Sequence, residues 1–153
     1  MEHTLGARTW NTNLEHEFGY IIGAMNTSVS TLSPATMAAP GGHYSHVAVA
    51  SGLAFVAGQL PITPQGVKLT GAPFEQQARQ VLANVQAALT AAGSGVQHLV
   101  QVRVYITDIG HWPAFNAVYA DWAGPHRPAR AVVPVPELHH GLLLEVEAVG
   151  AVA

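Results

Sequence analysis

The stretch APFEQQARQVLANVQAALTAAGSGVQHLVQVRVYITD, residues 72–108, changes its hydrophobic period partway along, and that change decides the fold. In its first part Phe74, Ala78, Val81, Leu82, Val85, Leu89 and Ala92 recur at helical spacing and form one apolar stripe. Glu75 and Arg79 make an i,i+4 pair on the other side, and Gly93 suits the left-handed residue that stops a helix. Beyond it the pattern alternates. Val100, Val102, Val104 and Ile106 face one way and Gln101, Arg103, Tyr105 and Thr107 the other, which predicts a strand with one face buried.

Working outward, HVAVASGLAFVAGQL (residues 46–60) reads as two strands broken at Ser51 and Gly52, a small-residue pair expected of a hairpin turn, and Pro61, Pro64 and Gly66 then mark a loop. On the other side, Pro113 suits a helix's first turn. Phe115, Val118, Tyr119 and Trp122 supply an apolar face, and Gly124 and Pro125 end that helix. Two more strands are expected at about 130–135 and 142–150. Strands, helix, strand, helix, strands is the order of an α+β sandwich, one sheet covered on one side by two helices.

The chain has 153 residues, room for one domain but not for two ordinary ones. Residues 25–153 read as that domain. Residues 1–24 read as a poorly ordered N-terminal extension, either native sequence from an upstream start or added sequence. Hydrophobic residues make up 49% and charged residues only 10%, so an isolated monomer has few charges with which to cover its surface, and an oligomer meeting through the bare sheet face is expected. The net charge is -3, and Arg8, Lys68, Arg79, Arg103, Arg127 and Arg130 are scattered, which argues against a nucleic-acid partner. No apolar run approaches the roughly 20 residues of a membrane span, so no membrane partner and a cytoplasmic location are expected. Without cysteine there is no disulfide, thiolate metal site or cysteine nucleophile. The nine histidines form no HExxH or comparable pattern, so no metal is expected.

One cation stands out. Arg130 sits in RPARAVVPVP (residues 127–136), within a run of alanine, valine and proline, ahead of Glu145 and Glu147 in the last strand. Parity puts Ala131, Val133 and Val135 on one face of their strand and Arg130 on the other. In the last strand Leu142, Leu144, Val146 and Ala148 oppose Leu143, Glu145 and Glu147. If the two strands form a hairpin through PELHHG (residues 136–141), Arg130 stands directly across from Glu145 on the open face. On spacing alone Arg130 is either a structural ion-pair partner or solvated edge charge, or a carboxylate receptor, its guanidinium fork matching a planar carboxylate while a nearby glutamate orients water.

Five blocks in order resemble the Rid/YjgF family of small imine and enamine deaminases: GGHYSHVAV (41–49), FVAGQLPITP (55–64), QQARQVLANVQAALTAAG (76–93), FNAVYADWAGPHRPARAVV (115–133) and LLLEVEAVGA (142–151). The resemblance runs from about residue 34 to 150. It implies a fold like that of trimeric chorismate mutase, a mixed six-stranded sheet with two helices on one face, assembled as a homotrimer with clefts between subunits. It implies hydrolysis of 2-aminoacrylate or 2-iminopropanoate to a 2-keto acid and ammonia without a cofactor. Arg130 would bind the substrate carboxylate and Glu145 would handle the water, with Tyr44, Gly58, Asn116 and Ala131 lining the substrate site. On their own, Tyr44 is equally a core residue, Gly58 a strand bulge and Asn116 a cap or turn residue. The chain departs from the family's pattern at Val132, where the archetype often has cysteine, and at His43, His46 and Ala57. His43 and His46 have either structural roles or a part in acid–base steps. The departures leave two alternatives, a deaminase for a larger enamine such as 2-aminomuconate, and a non-catalytic trimer that binds a keto acid or a protein.

Overall fold

The computed structural model describes residues 28–152, and the segment read as an N-terminal extension lies outside them. Six strands and two helices follow in the order β1 (Ser30–Leu32), β2 (Val47–Ala50), β3 (Leu53–Gln59), α1 (Phe74–Ala91), β4 (Leu99–Ile106), α2 (Trp112–Ala123), β5 (Ala129–Pro134) and β6 (Leu144–Ala151). The strands form one mixed sheet in the order β1-β2-β3-β6-β4-β5. Only β4 and β5 are parallel, which is what a strand, crossover helix, strand unit produces.

The apolar stripe of α1 is buried as its spacing predicts, from Phe74 and Ala78 to Leu89, and Gly93 takes the left-handed conformation with φ 75°. The stripe also carries two polar residues. Gln77 donates to the Ala72 carbonyl and accepts from the Leu143 amide, tying the start of α1 to the entry of β6. Asn84 donates to the carbonyls of Leu60 and Ile62 at 3.0 and 2.8 Å, so the loop after β3 is fastened to the helix. Ser51 and Gly52 both adopt positive φ, which gives the β2–β3 hairpin the twist its strands require.

In β4 the alternation holds for Val102, Val104 and Ile106, all fully buried, but Val100 is exposed. The pairing with β6 slips between Leu99 and Gln101, and Leu99 takes the inward place instead. Strand β1, an edge pairing with β2, lies in a polar stretch with no alternation to announce it.

The expected hairpin between β5 and β6 does not form. Strand β4 lies between them, so Arg130 is beside Val102 and Glu145 beside Tyr105. The parity assigned to β5 is also reversed. Val102 belongs to the buried, helix-covered face, and Arg130 shares that face, whereas Ala131 pairs with Arg103 on the open one. The reason is that β5 is an edge strand with apolar residues on both parities, and Pro134, which lacks an amide hydrogen, is tolerated there. No helix among the described residues is long and apolar enough to cross a membrane.

Candidate functional site

The chain carries two groups of candidate residues on opposite faces of its sheet. The first centres on Arg130. Its aliphatic stem leaves β5 on the helix side, and the guanidinium lies over the ring of Tyr119, 4.6 Å from the ring centroid, with Phe115 at 5.9 Å. Nη2 donates to Asn116 Oδ1 at 2.8 Å. Phe115 and Asn116 both neighbour Tyr119 on α2, because they precede it by four and by three residues. Asn116 is therefore a mid-helix residue aimed at the arginine, not a cap. A guanidinium stacked on aromatic rings and held by one amide is oriented without being neutralised. Among the described residues the ion pair is between Arg103 and Glu147, and Arg130 has no part in it.

The structural ion pair considered for Arg130 is made instead by Arg103 and Glu147. Arg103 Nη1 and Glu147 Oε1 meet at 2.8 Å across β4 and β6, and Tyr105 donates to the same oxygen at 3.3 Å. Arg103 and Glu147, with Phe55 and Val149, line a shallow hollow on the open face.

The Tyr119 hydroxyl is buried with no hydrogen-bond partner among the described residues. Burial raises its pKa, opposed by the charge of Arg130, so the phenol remains protonated. Because an unpaired buried hydroxyl costs about 1–3 kcal/mol, Tyr119→Phe is expected to unfold at the same temperature as wild type or higher. A marked fall in the calorimetric midpoint would reveal a partner for that hydroxyl.

The second group lines a cleft of about 870 Å³ between the 37–46 segment, β3, the 60–68 loop and the turn before β6. Glu145 projects into it from β6, and its carboxyl covers Gly58 so closely that a Cβ at position 58 would collide with the Glu145 side chain. Gly58 lies within the irregular pairing of β3 and β6 between Val56 and Gln59, so the glycine is what lets the carboxyl cross the strand. Burial raises the pKa of Glu145, His139 lowers it, and Glu147 raises it further.

Tyr44 also lines the cleft, half exposed, its hydroxyl accepting from the Gly41 amide at 3.3 Å and its ring edge-on to His46. His46 is 6% exposed and committed to structure. Its Nε2 bonds the Ala38 carbonyl at 2.8 Å and its Nδ1 receives the Gln59 amide at 3.3 Å, so the ring fastens the Tyr44 segment to β3. His43 is exposed.

Of the residues expected to form one site, the structure brings Tyr44, Gly58 and Glu145 together and, separately, Asn116 and Arg130. Ala131 stands on the open face of β5. Lys68, His139 and His140 also line the cleft. Nothing in their spacing pointed there, since they come from two loops that meet only in the fold.

Comparisons with known proteins agree with this architecture. A profile described as Endoribonuclease L-PSP matches residues 35–152, which is nearly all of the described chain. The protein HMF1 of Saccharomyces cerevisiae is 36% identical over 126 residues, covering 80% of this chain and 97% of HMF1. The crystal structure of YyfA from Yersinia pestis, described as a member of the Rid family, superposes with a TM-score of 0.77 at 33% identity, covering 82% of this chain and 100% of that one. TdcF of E. coli, crystallised with bound serine, gives a TM-score of 0.75 at 30% identity over 81% of this chain and 99% of TdcF. The chain belongs to the Endoribonuclease L-PSP family, the YjgF/Rid family.

Proposed function

We propose that the protein hydrolyses reactive 2-imino and enamine carboxylic acids to the 2-keto acid and ammonia, working as a homotrimer. The observation that carries this reading is the pairing of an oriented arginine, held by Asn116 and Tyr119, with a half-buried carboxyl laid over Gly58 in a cleft. Because the two lie on opposite faces of one sheet, the site is completed when a second copy brings its β5 edge, with Arg130 and Asn116, to the cleft that holds Glu145. The bound serine of TdcF has the same carboxylate and C2 nitrogen as the proposed substrates.

In this mechanism Arg130 pairs with the substrate carboxylate and fixes C2, and Glu145 orients a water toward it. Water oxygen bonds to C2 of the protonated imine as the C=N π electrons move to nitrogen, and Glu145 accepts the water's proton. The carbinolamine then collapses: Glu145 returns the proton to nitrogen, ammonia leaves as the C–N bond breaks, and the Glu145 carboxylate takes the hydroxyl proton as that oxygen forms the keto group. An enamine first takes up a proton at C3 to become the imine. An iminium carbon is already electrophilic, so alignment against one water supplies most of the rate.

The family's description names an endoribonuclease. The chain's net charge of -3 and its scattered cations, one of them consumed by Glu147, do not build the basic track that RNA requires.

The direct test generates imines in situ with an amino acid oxidase in the presence of semicarbazide and measures how much imine the protein diverts to keto acid. Slower build-up of the semicarbazone when the protein is present supports the reading, and no diversion of any imine sinks it. The shared site has its own test. Arg130→Ala and Glu145→Gln chains, each inactive alone, are expected to recover activity when co-assembled, to about a quarter of wild type if random mixing leaves one site in four with both groups intact. A site confined to one chain would recover nothing.

A further inference from the structure

We propose that the cleft contains a second anion-binding wall, formed by Lys68, His139 and His140, which makes 2-imino dicarboxylic acids its preferred substrate class. This rests on the imine-hydrolysis reading above and goes beyond it by naming the group the rest of the substrate carries.

The chain is acidic overall, with net charge -3, yet its cleft is not. Lys68, the only lysine, lines it together with His46, His139 and His140, and Glu145 is the one carboxylate on its walls. His46 is spent on Ala38 and Gln59, which leaves Lys68 and the two turn histidines facing the space. Their placement is built rather than incidental. Lys68 belongs to a tight loop closed by its bridge to Ile62, by the Thr63–Val67 and Leu69–Pro61 backbone bonds, and by Asn84 beneath Ile62. Thr70, two residues on, donates to the His140 carbonyl at 2.8 Å, joining that loop to the histidine turn along one side of the cleft. His140 itself sits at φ 64°, a left-handed conformation that costs a non-glycine residue about 1 kcal/mol and persists only where its surroundings hold it. His139 is near enough to Glu145 for its charge to lower that carboxyl's pKa, so the wall begins beside the reacting water.

A three-carbon imine anchored by Arg130 of a second copy would leave this wall without a counter-ion. A substrate with a second carboxylate on its side chain reaches both cationic groups at once. It is then held at both ends, with C2 fixed between them at Glu145.

The test uses imines formed in situ from glutamate and from alanine by amino acid oxidases, and, independently of turnover, calorimetric binding of 2-ketoglutarate and 2-ketobutyrate. The variants are Lys68→Gln, at an exposed position, and His140→Asn, chosen because asparagine accepts a left-handed backbone. We expect kcat/KM to favour the glutamate imine, 2-ketoglutarate to bind more tightly than 2-ketobutyrate, and both preferences to fall about fivefold in each variant, the worth of one partly exposed ion pair. Hydrolysis of the alanine imine with no preference for the dicarboxylates, or a preference that neither variant changes, overturns the wall and leaves the reaction standing. A 2-ketoglutarate preference that both variants weaken, without turnover of any imine, sinks the reaction and retains the wall.

Discussion

Arg130→Ala is expected to lower kcat/KM for imine hydrolysis roughly 100-fold, one of the two largest effects expected of a single side-chain replacement at the proposed site. Truncating one partner of a desolvated, hydrogen-bonded charge pair costs about 3 kcal/mol, and about 1.4 kcal/mol is a factor of ten. The guanidinium is pre-oriented by Asn116 and by the rings of Tyr119 and Phe115, so the carboxylate meets a fork already in place. Arg130→Lys keeps the charge but loses the planar fork and is expected to recover only part of the rate. Stability responds far less. The side chain is half-buried at a sheet edge, and its hydrogen bond and cation–π contact contribute about 1 kcal/mol each. Wild-type rates in Arg130→Ala, measured in the oxidase-coupled assay, would remove the carboxylate receptor and with it the proposed mechanism.

The second large effect is expected at Glu145, and it can be reached by two routes. Glu145→Gln keeps the shape but cannot accept a proton, and should cost roughly 100-fold in kcat, the usual worth of a positioned general base. Gly58→Ala should do comparable damage without touching the carboxyl chemically, since the new Cβ occupies the place of the Glu145 side chain and pushes its flexible end out of position. If Gly58→Ala were fully active, the carboxyl's seat over the glycine would have no part in the reaction.

The same burial gives Glu145 a pH signature. Its folded pKa is raised above the ordinary carboxylate value, with burial the largest cause. The acid limb of kcat/KM should therefore lie above that value, and Glu145→Gln should abolish it. Stability changes in the matching direction. Between the unfolded and folded pKa values the folded chain holds the proton more tightly, so the contribution of Glu145 to stability falls as pH rises through that window. Glu145→Gln is expected to be at least as stable as wild type at neutral pH, with the difference closing as pH drops below the ordinary carboxylate range. Denaturant titrations at the two pH values read this directly.

The residues that were legible early are those whose signal is local. The α1 stripe, Gly93, the Ser51–Gly52 turn and the inward set of β4 follow from periodicity and backbone preference, and the structure places each accordingly, apart from the slip that turns Val100 outward. Arg130 and Glu145 could be singled out because a charge amid apolar residues in a sparsely charged chain is unusual. Their relation could not. Strand β5 carries apolar side chains on both parities, so its pattern does not say which face is covered, and its neighbour in the sheet is β4 rather than the next strand along the chain. His46 was equally opaque, because a histidine that locks a loop through Ala38 and Gln59 has the same sequence signature as one on the surface.

By itself, then, the sequence determined most of the elements, the layer architecture and the two residues proposed to carry the chemistry, because hydrophobic period and residue chemistry act over a few positions. Only the tertiary structure decided that Arg130 and Glu145 face opposite sides of one sheet, that Gly58 makes room for the carboxyl, and that Lys68 meets the histidine turn. Those facts depend on strand order and on contacts between segments far apart in the chain, and no local preference encodes which strand lies beside which.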